Sequence, residues 1–164
     1  MRAGRASPGV MALFAAAGRD PYKATCFDLG FTLGPRLNAA GRLDDMSLGI
    51  ACLLAGSVDA ALPLAQELDQ MNRARRDIEA GMRDEAETVL ASLDCEASYS
   101  LALYRADWHQ GVVGIVASRV KDRFHRPTIV FADGGPDEIK GSGRSIVGLH
   151  LRDALDLVSK RHPG

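Results

Sequence analysis

The sequence predicts an α/β protein in three regions, and three observations support this fold class. A long helical pattern fills the middle of the 164-residue chain, and strand and helix signals alternate after it. The composition, 46% hydrophobic and 25% charged, is typical of a folded protein. The length allows one ordinary domain or two small ones, and no apolar run is long enough to span a bilayer.

The first region, residues 1–56, is rich in glycine and arginine and carries short helical patches. Its apolar stretch at residues 10–17 is short and is soon followed by Asp20, which indicates a helix rather than a signal peptide. Asp44 and Asp45 are expected to begin a helix at Met46, because acidic side chains stabilise helix N-termini.

The second region, residues 57–93, predicts one long amphipathic helix that joins two lobes. Ser57 and Asp59 are the candidate caps at its start. Apolar side chains follow at steps of three and four residues: Ala61, Leu64, Leu68, Met71, Ile78, Met82, Ala86 and Val89. Arg75 interrupts this stripe and Gly81 weakens the helix, so a packed amphipathic helix is favoured over a coiled coil.

The third region, residues 94–164, is expected to form a small α/β unit with the order β-α-β-β-α. Its strand candidates are residues 99–104, 128–132 and the glycine-rich 139–147, and its helices are residues 111–124 and 151–160. Pro127 prevents the first of these helices from continuing. Residues 133–136, Asp-Gly-Gly-Pro, predict a turn between the last two strands.

Charge and cysteine content exclude some classes of protein and leave others open. The net charge of −1 does not indicate a nucleic-acid binder, although it permits a local basic groove. The 16 arginines among 20 basic residues suit phosphate contacts, but a composition bias of the genome gives the same excess. Cys26, Cys52 and Cys95 lie far apart, which argues against a zinc site or a disulfide framework and favours reduced thiols.

Three segments carry residues suited to binding an anion. Residues 31–43 place Arg36, Asn38 and Arg42 among glycines and a proline that predict a tight backbone. The alternative is an ordinary loop with solvated arginines. Residues 107–119 place Trp108 and His109 at the entry to a helix, where phosphate is favoured and an aromatic ring can stack on a base. The alternative is that Trp108 belongs to the core and His109 is a satisfied loop residue.

The third segment, residues 140–148, has the sequence KGSGRSIVG. Its backbone N–H groups, including that of Gly143, the hydroxyls of Ser142 and Ser145 and the guanidinium of Arg144 can surround an oxyanion. The spacing matches neither a P-loop nor a dinucleotide-binding fingerprint. A hairpin with a glycine bulge explains the same residues without a function. The four histidines are dispersed, so the sequence indicates neither metal ligands nor a catalytic residue in this chain.

Taken together, three collinear stretches resemble the RecJ family of bacterial single-strand-specific exonucleases, within the DHH phosphoesterase superfamily. They are FTLGPRLNAAGRLDDMSLGIACLL, DWHQGVVGIVASRVKDRFHRPTIVF and GSGRSIVGLHLRDAL. The resemblance implies that residues 1–56 end a DHH domain, residues 57–93 are the connecting helix, and residues 94–164 are most of a DHHA1 domain. It also implies that Ser142 and Arg144 bind DNA phosphate, with Arg36 slightly favoured over Arg42 as a further contact, and that Trp108 and His109 lie near the cleft.

The implied activity is a 5′-to-3′ exonuclease on single-stranded DNA in repair and recombination, with Mn²⁺ or Mg²⁺ as cofactor. The family's Asp-x-Asp, Asp-His-His and Gly-Gly-His motifs are not in this sequence. We therefore expect a fragment that lacks the metal ligands and is inactive alone. Its expected partners are single-stranded DNA, the missing N-terminal DHH region, and repair and single-strand-binding proteins. A cytoplasmic location and no membrane association are expected.

Two other functions fit the same residues. The chain can be a non-catalytic module that binds single strands, or one half of a split enzyme. Another DHH/DHHA1 phosphodiesterase, acting on oligonucleotides or cyclic dinucleotides, is less favoured because the segments 35–43 and 108–119 match RecJ more closely.

Overall fold

The computed structural model describes residues 6–91 and 98–162, and the α/β class predicted from the sequence is confirmed. The elements are α1 (Pro8–Ala16), α2 (Cys26–Asp28), α3 (Gly34–Leu43), α4 (Ser47–Leu54), α5 (Val58–Ala91), β1 (Leu101–Tyr104), α6 (Val113–Phe124), β2 (Thr128–Gly135), β3 (Glu138–Arg144) and α7 (Leu151–Arg161). A 3₁₀ turn spans Pro21–Lys23 and a π-helical turn spans Leu29–Leu33. The chain divides into two compact units, Met1–Asp77 and Ile78–Gly164.

The first unit is helical and is built around a buried apolar cluster. This cluster includes Leu13 and Phe14 of α1, Leu33 of the π-helical turn, Cys52 of α4 and Leu68 of α5. Burial also raises the pKa of the Cys52 thiol, so the side chain behaves as a small apolar residue. Cys26 is an exposed free thiol, and Cys95 lies outside the described residues.

Helix α5 occupies the region predicted to be one long helix, whose last two residues lie outside the described part of the chain. Of the two candidate caps, Ser57 fills the role, because its hydroxyl oxygen accepts a hydrogen bond from the N–H of Ala60 at 3.2 Å. The boundary between the two units falls within this helix, between Asp77 and Ile78. One continuous helix therefore contributes its first part to one unit and its second part to the other.

The second unit contains a three-stranded sheet with the order β1-β2-β3. Strand β1 pairs parallel with β2, and β2 pairs antiparallel with β3. The parallel pair needs a crossover, which α6 supplies, with its buried side chains Val116 and Val120. Helix α6 ends where His125 adopts the left-handed conformation, at φ 52°, and donates its N–H to the carbonyl of Lys121.

The turn between β2 and β3 lies two residues later than the sequence predicts. Strand β2 continues to Gly135, with an irregular register between Asp133 and Gly135, and the turn residues are Pro136 and Asp137. The hydroxyl of Tyr104 on β1 donates to Oδ1 of Asp133 at 2.8 Å, and this bond raises the pKa of Tyr104. The cross-strand bond explains why Asp133 belongs to the sheet and not to the turn.

Helix α7 follows β3 and leaves several apolar side chains, among them Leu155 and Val158, exposed. Among the described residues, none of the helices combines the length and apolar character needed to cross a bilayer.

Candidate functional site

The first predicted binding segment, residues 31–43, is helical, and the expected tight loop with special backbone angles is wrong. Gly34 has a helical φ of −51°, and Pro35 stands in the first turn of α3, where the missing N–H costs little. A Cβ added at Gly41 would lie 2.9 Å from Cε of Met46. Close packing, rather than an unusual backbone conformation, therefore accounts for glycine at position 41.

Arg36 is held in a nearly buried ion pair with α5. Its Nε and Nη2 donate to Oδ1 of Asp69 at 2.9 and 2.8 Å, and its Nη1 donates to the carbonyl of Thr32 at 2.6 Å. The two charged side chains are only 11% and 9% exposed. All three nitrogens of this guanidinium thus bind within the first unit, which argues against the slight preference for Arg36 as the phosphate contact.

Asn38 and Arg42 remain the candidates of α3 for contact with a ligand. Both side chains are exposed, and their spacing of four residues places them on one face of the helix.

The other oxygen of Asp69, Oδ2, accepts from Nε and Nη2 of Arg73 at 2.9 and 2.7 Å. Arg73 is 74% exposed, so Asp69 joins a buried arginine to a solvated one.

Trp108 belongs to the core of the second unit, which favours the alternative interpretation of this residue over a stacking platform. The residue is 5% exposed, and its indole N–H donates to Oε2 of Glu85 on α5 at 2.7 Å. Nε of Arg105 lies 3.5 Å from the same oxygen, and Arg105 also forms a two-bond pair with Asp107 that lowers the pKa of Asp107. These bonds fix the loop that leads into α6.

His109 orders the last residues of that loop. Its Nδ1 accepts a hydrogen bond from the N–H of Gly111 at 3.1 Å, which places the proton of the neutral ring on Nε2. The side chain is half-buried. The structure therefore gives His109 a local partner just before α6, and its predicted place near a cleft stays a prediction.

In the glycine-rich strand β3, glycines that pack against apolar groups alternate with polar residues. Side chains point to opposite faces of a strand at successive residues. A Cβ at Gly141 would lie 2.5 Å from the ring of Phe131, and one at Gly143 would lie 2.6 Å from Cδ2 of Leu151. The glycines thus let apolar groups cover one face of β3, while Ser142 and Arg144 project from the other face.

Ser142 and Arg144 meet each other beside the first turn of α6. Nη1 of Arg144 donates to Oγ of Ser142 at 3.0 Å and to the carbonyl of Gly143 at 2.8 Å. Within the described residues these partners are neutral, so the exposed guanidinium keeps its full positive charge. Because Oγ of Ser142 accepts from Arg144, its own proton is available to a third group. This pair presents a cation and a hydroxyl donor, which is the chemistry that binds a phosphate oxygen.

Ser145 does not take part in that arrangement. Its hydroxyl donates to the carbonyl of Leu149 at 2.6 Å and closes the connection to α7. A serine hydroxyl has a single proton to donate, and in this structure Leu149 accepts it, so the role of Ser145 as an oxyanion donor stays a prediction.

No sequence pattern points to three residues that shape these sites. Asp69 and Glu85 lie within a helix whose charges follow no distinctive pattern, and Gly114 lies in an apolar stretch. Their partners are 33, 23 and about 30 residues away along the chain. Only the fold shows these pairings.

The described residues do not fit a divalent metal ion. Across residues 6–91 and 98–162, three or more His, Cys, Asp or Glu side chains do not come together as a possible metal site. Metal-dependent hydrolysis of a phosphodiester needs such a cluster.

Comparisons with known proteins agree with the resemblance in the sequence. The DHHA1 domain family matches residues 97–164. The single-stranded-DNA-specific exonuclease RecJ of Escherichia coli is 54% identical over 100% of this chain, and that of Bacillus subtilis is 38% identical over 90%. The chain spans 29% of the length of the first of these relatives and 19% of the second.

Solved structures show the same likeness. The crystal structure of RecJ in complex with Mg²⁺ from Thermus thermophilus has a TM-score of 0.79 and 30% identity, and the match covers 93% of this chain and 23% of that one. A crystal structure of exonuclease RecJ bound to manganese has a TM-score of 0.75 and 31% identity, covering 91% of this chain and 36% of that one.

The ion pair between Arg36 and Asp69 predicts a large loss of stability when Asp69 is replaced. Asp69→Ala leaves a nearly buried guanidinium without its carboxylate and is expected to lower the free energy of unfolding by about 3–5 kcal/mol. Urea unfolding followed by far-ultraviolet circular dichroism measures this. Arg73→Ala removes the exposed partner of the same carboxylate and is expected to cost under about 1 kcal/mol. Equal losses in the two variants would contradict a structural role for Arg36.

The burial of Trp108, the single tryptophan of the chain, predicts a distinctive fluorescence signal. We expect blue-shifted emission, weak quenching by acrylamide, and no quenching on addition of single-stranded DNA, since no ring face is free for a base. The chain unfolded in urea is the control for full quencher access. Strong quenching by DNA in the folded chain would restore the stacking role.

Proposed function

We propose that this chain is the DNA-phosphate-binding part of a 5′-to-3′ single-stranded-DNA exonuclease. The premise is that residues 97–164 are a DHHA1 domain and that the whole chain is similar to one segment of the RecJ exonucleases. Such an enzyme hydrolyses phosphodiester bonds during DNA repair and recombination in the cytoplasm. Its metal-binding residues would belong to a DHH region outside the described part of this chain. Repair and single-strand-binding proteins are its further proposed partners.

The observation that carries this proposal is the pairing of Ser142 with Arg144. Their mutual hydrogen bond fixes a guanidinium and a hydroxyl side by side at the start of α6. A phosphate placed there would receive a charge-assisted bond from Arg144 and a bond from the hydroxyl of Ser142. The positive end of the helix dipole favours the same anion.

Arg42 is the contact that we propose from α3, with Asn38 beside it. Arg36 is unsuitable because its three nitrogens already bind Asp69 and Thr32. In this proposal the role of Arg36 is to hold α3 against α5. The exposed face with Asn38 and Arg42 is then presented on a rigid helix rather than on a flexible loop.

A second function, binding of single strands without hydrolysis, is favoured by one observation. Among the described residues, Ser142 and Arg144 are hydrogen-bonded as proposed phosphate ligands, and no cluster of metal ligands accompanies them. Phosphate binding is then the chain's own contribution, whether it acts as an independent module or as half of a split enzyme.

Replacing Arg144 tests the binding proposal. Arg144→Ala is expected to weaken binding of a short 5′-phosphorylated single strand about five- to tenfold and to reduce the slope of log K against log salt by about one. Fluorescence anisotropy at several salt concentrations measures both quantities. Arg83→Ala is the control, because its guanidinium in the same unit already pairs with Asp84 at 3.0 Å. An unchanged slope in Arg144→Ala would remove Arg144 from the phosphate site.

A nuclease assay separates binding from hydrolysis. With Mn²⁺ and labelled single-stranded DNA, the purified chain is expected to release no nucleotides, because hydrolysis of this kind depends on held metal ions. Gel electrophoresis of the labelled strand provides the measurement. Degradation that stops on addition of a chelator would show that the chain is active by itself.

A further inference from the structure

Gly114, the second residue of α6, lies against both side chains of the proposed phosphate site. A Cβ added at this position would be 2.9 Å from Nη2 of Arg144 and 2.9 Å from Oγ of Ser142. The third nearest atom, at 3.5 Å, is Cβ of Ser142. The side chain that Gly114 lacks would therefore meet these two residues first.

The helix itself gives no reason for glycine at this position. Glycine is a weaker helix former than alanine, and Gly114 lacks the positive φ that would require glycine. Gly81 in α5 provides a contrast, because a Cβ there would meet nothing within 4 Å. The difference between the two glycines is the presence of Ser142 and Arg144 beside one of them.

We propose that Gly114 is a positioning residue for phosphate binding, which rests on the function proposed above. Its missing side chain lets Ser142 and Arg144 lie directly against the first turn of α6. The hydroxyl, the guanidinium and the positive end of the helix dipole then act on the same phosphate oxygens. A methyl group at position 114 would separate the two side chains from the helix.

The fold can accept that methyl group, which makes the proposal testable. The atoms that it would meet are the tip of a long, exposed side chain and a short hydroxyl side chain, and both can change rotamer. The backbone of β3 does not need to move. Gly114→Ala should therefore impair binding while the chain remains folded and gains helix propensity.

The experiment compares five chains: wild type, Gly114→Ala, Gly81→Ala, Arg144→Ala and the double variant Gly114→Ala/Arg144→Ala. The probe is a short 5′-phosphorylated single-stranded oligonucleotide followed by fluorescence anisotropy, with Tm measured on the same samples. Gly114→Ala is expected to weaken binding about fivefold with an unchanged or higher Tm. Gly81→Ala should also keep or raise Tm and should bind as wild type does. Since Gly114 acts through Arg144 as well as Ser142, adding Gly114→Ala to Arg144→Ala should cost less than the same substitution costs in the wild type.

Each contrary result has a separate meaning. Wild-type binding by Gly114→Ala, in a chain whose binding depends on Arg144, overturns the role of Gly114 and leaves the proposed function intact. An equal loss from Gly114→Ala with and without Arg144 also overturns it, because the two residues would then act independently. Failure of the wild-type chain to bind the oligonucleotide overturns the proposed function together with this inference.

Discussion

Asp69 is the residue on which the first unit depends most directly, because it neutralises an arginine that has almost no access to water. A buried guanidinium without a carboxylate is strongly unfavourable, so the pairing with Arg36 fixes α3 against α5. The same guanidinium reaches the π-helical turn through Thr32. In the second unit, Glu85 of α5 accepts the indole N–H of Trp108 and so holds the loop before α6. One helix therefore supplies an anchoring carboxylate to each unit.

In the second unit, polar side chains of the sheet lie close to a helix while the sheet remains packed. Strand β3 does this by alternation, with glycines on the face covered by Phe131 and Leu151 and polar residues on the opposite face. The backbone of β3 can approach its apolar neighbours only because Gly141 and Gly143 have no side chains. Gly114 provides the matching space on α6. Packing against Phe131 and Leu151 thus explains Gly141 and Gly143, whereas the space at Gly114 faces Ser142 and Arg144.

Much of the architecture could be predicted because it depends on local patterns. The apolar spacing from Ala61 to Val89 predicts α5, and the alternation of strand and helix signals predicts the strands and helices that follow it. The sequence could not show the partners of Arg36 and Trp108, because those partners are distant along the chain. Arg36 and Arg42 look equivalent within their motif, and the carboxylate that Arg36 meets, that of Asp69, lies 33 residues away along the chain. Trp108 precedes a helix as an exposed platform would, but Glu85, 23 residues earlier, binds its only polar atom.

The same reasoning explains why overall charge says little about this protein. The net charge of −1 is a sum that includes arginines in very different environments. Arg73, Arg119 and Arg123 each have a carboxylate partner, so most of their charge is balanced within the protein. Arg144 instead binds the oxygens of Ser142 and Gly143, which carry no net charge. An anion gains more from the second kind of arginine than from the first, because it does not compete with an internal carboxylate. The identity of each arginine's partner, rather than the number of arginines, determines where a phosphate can bind.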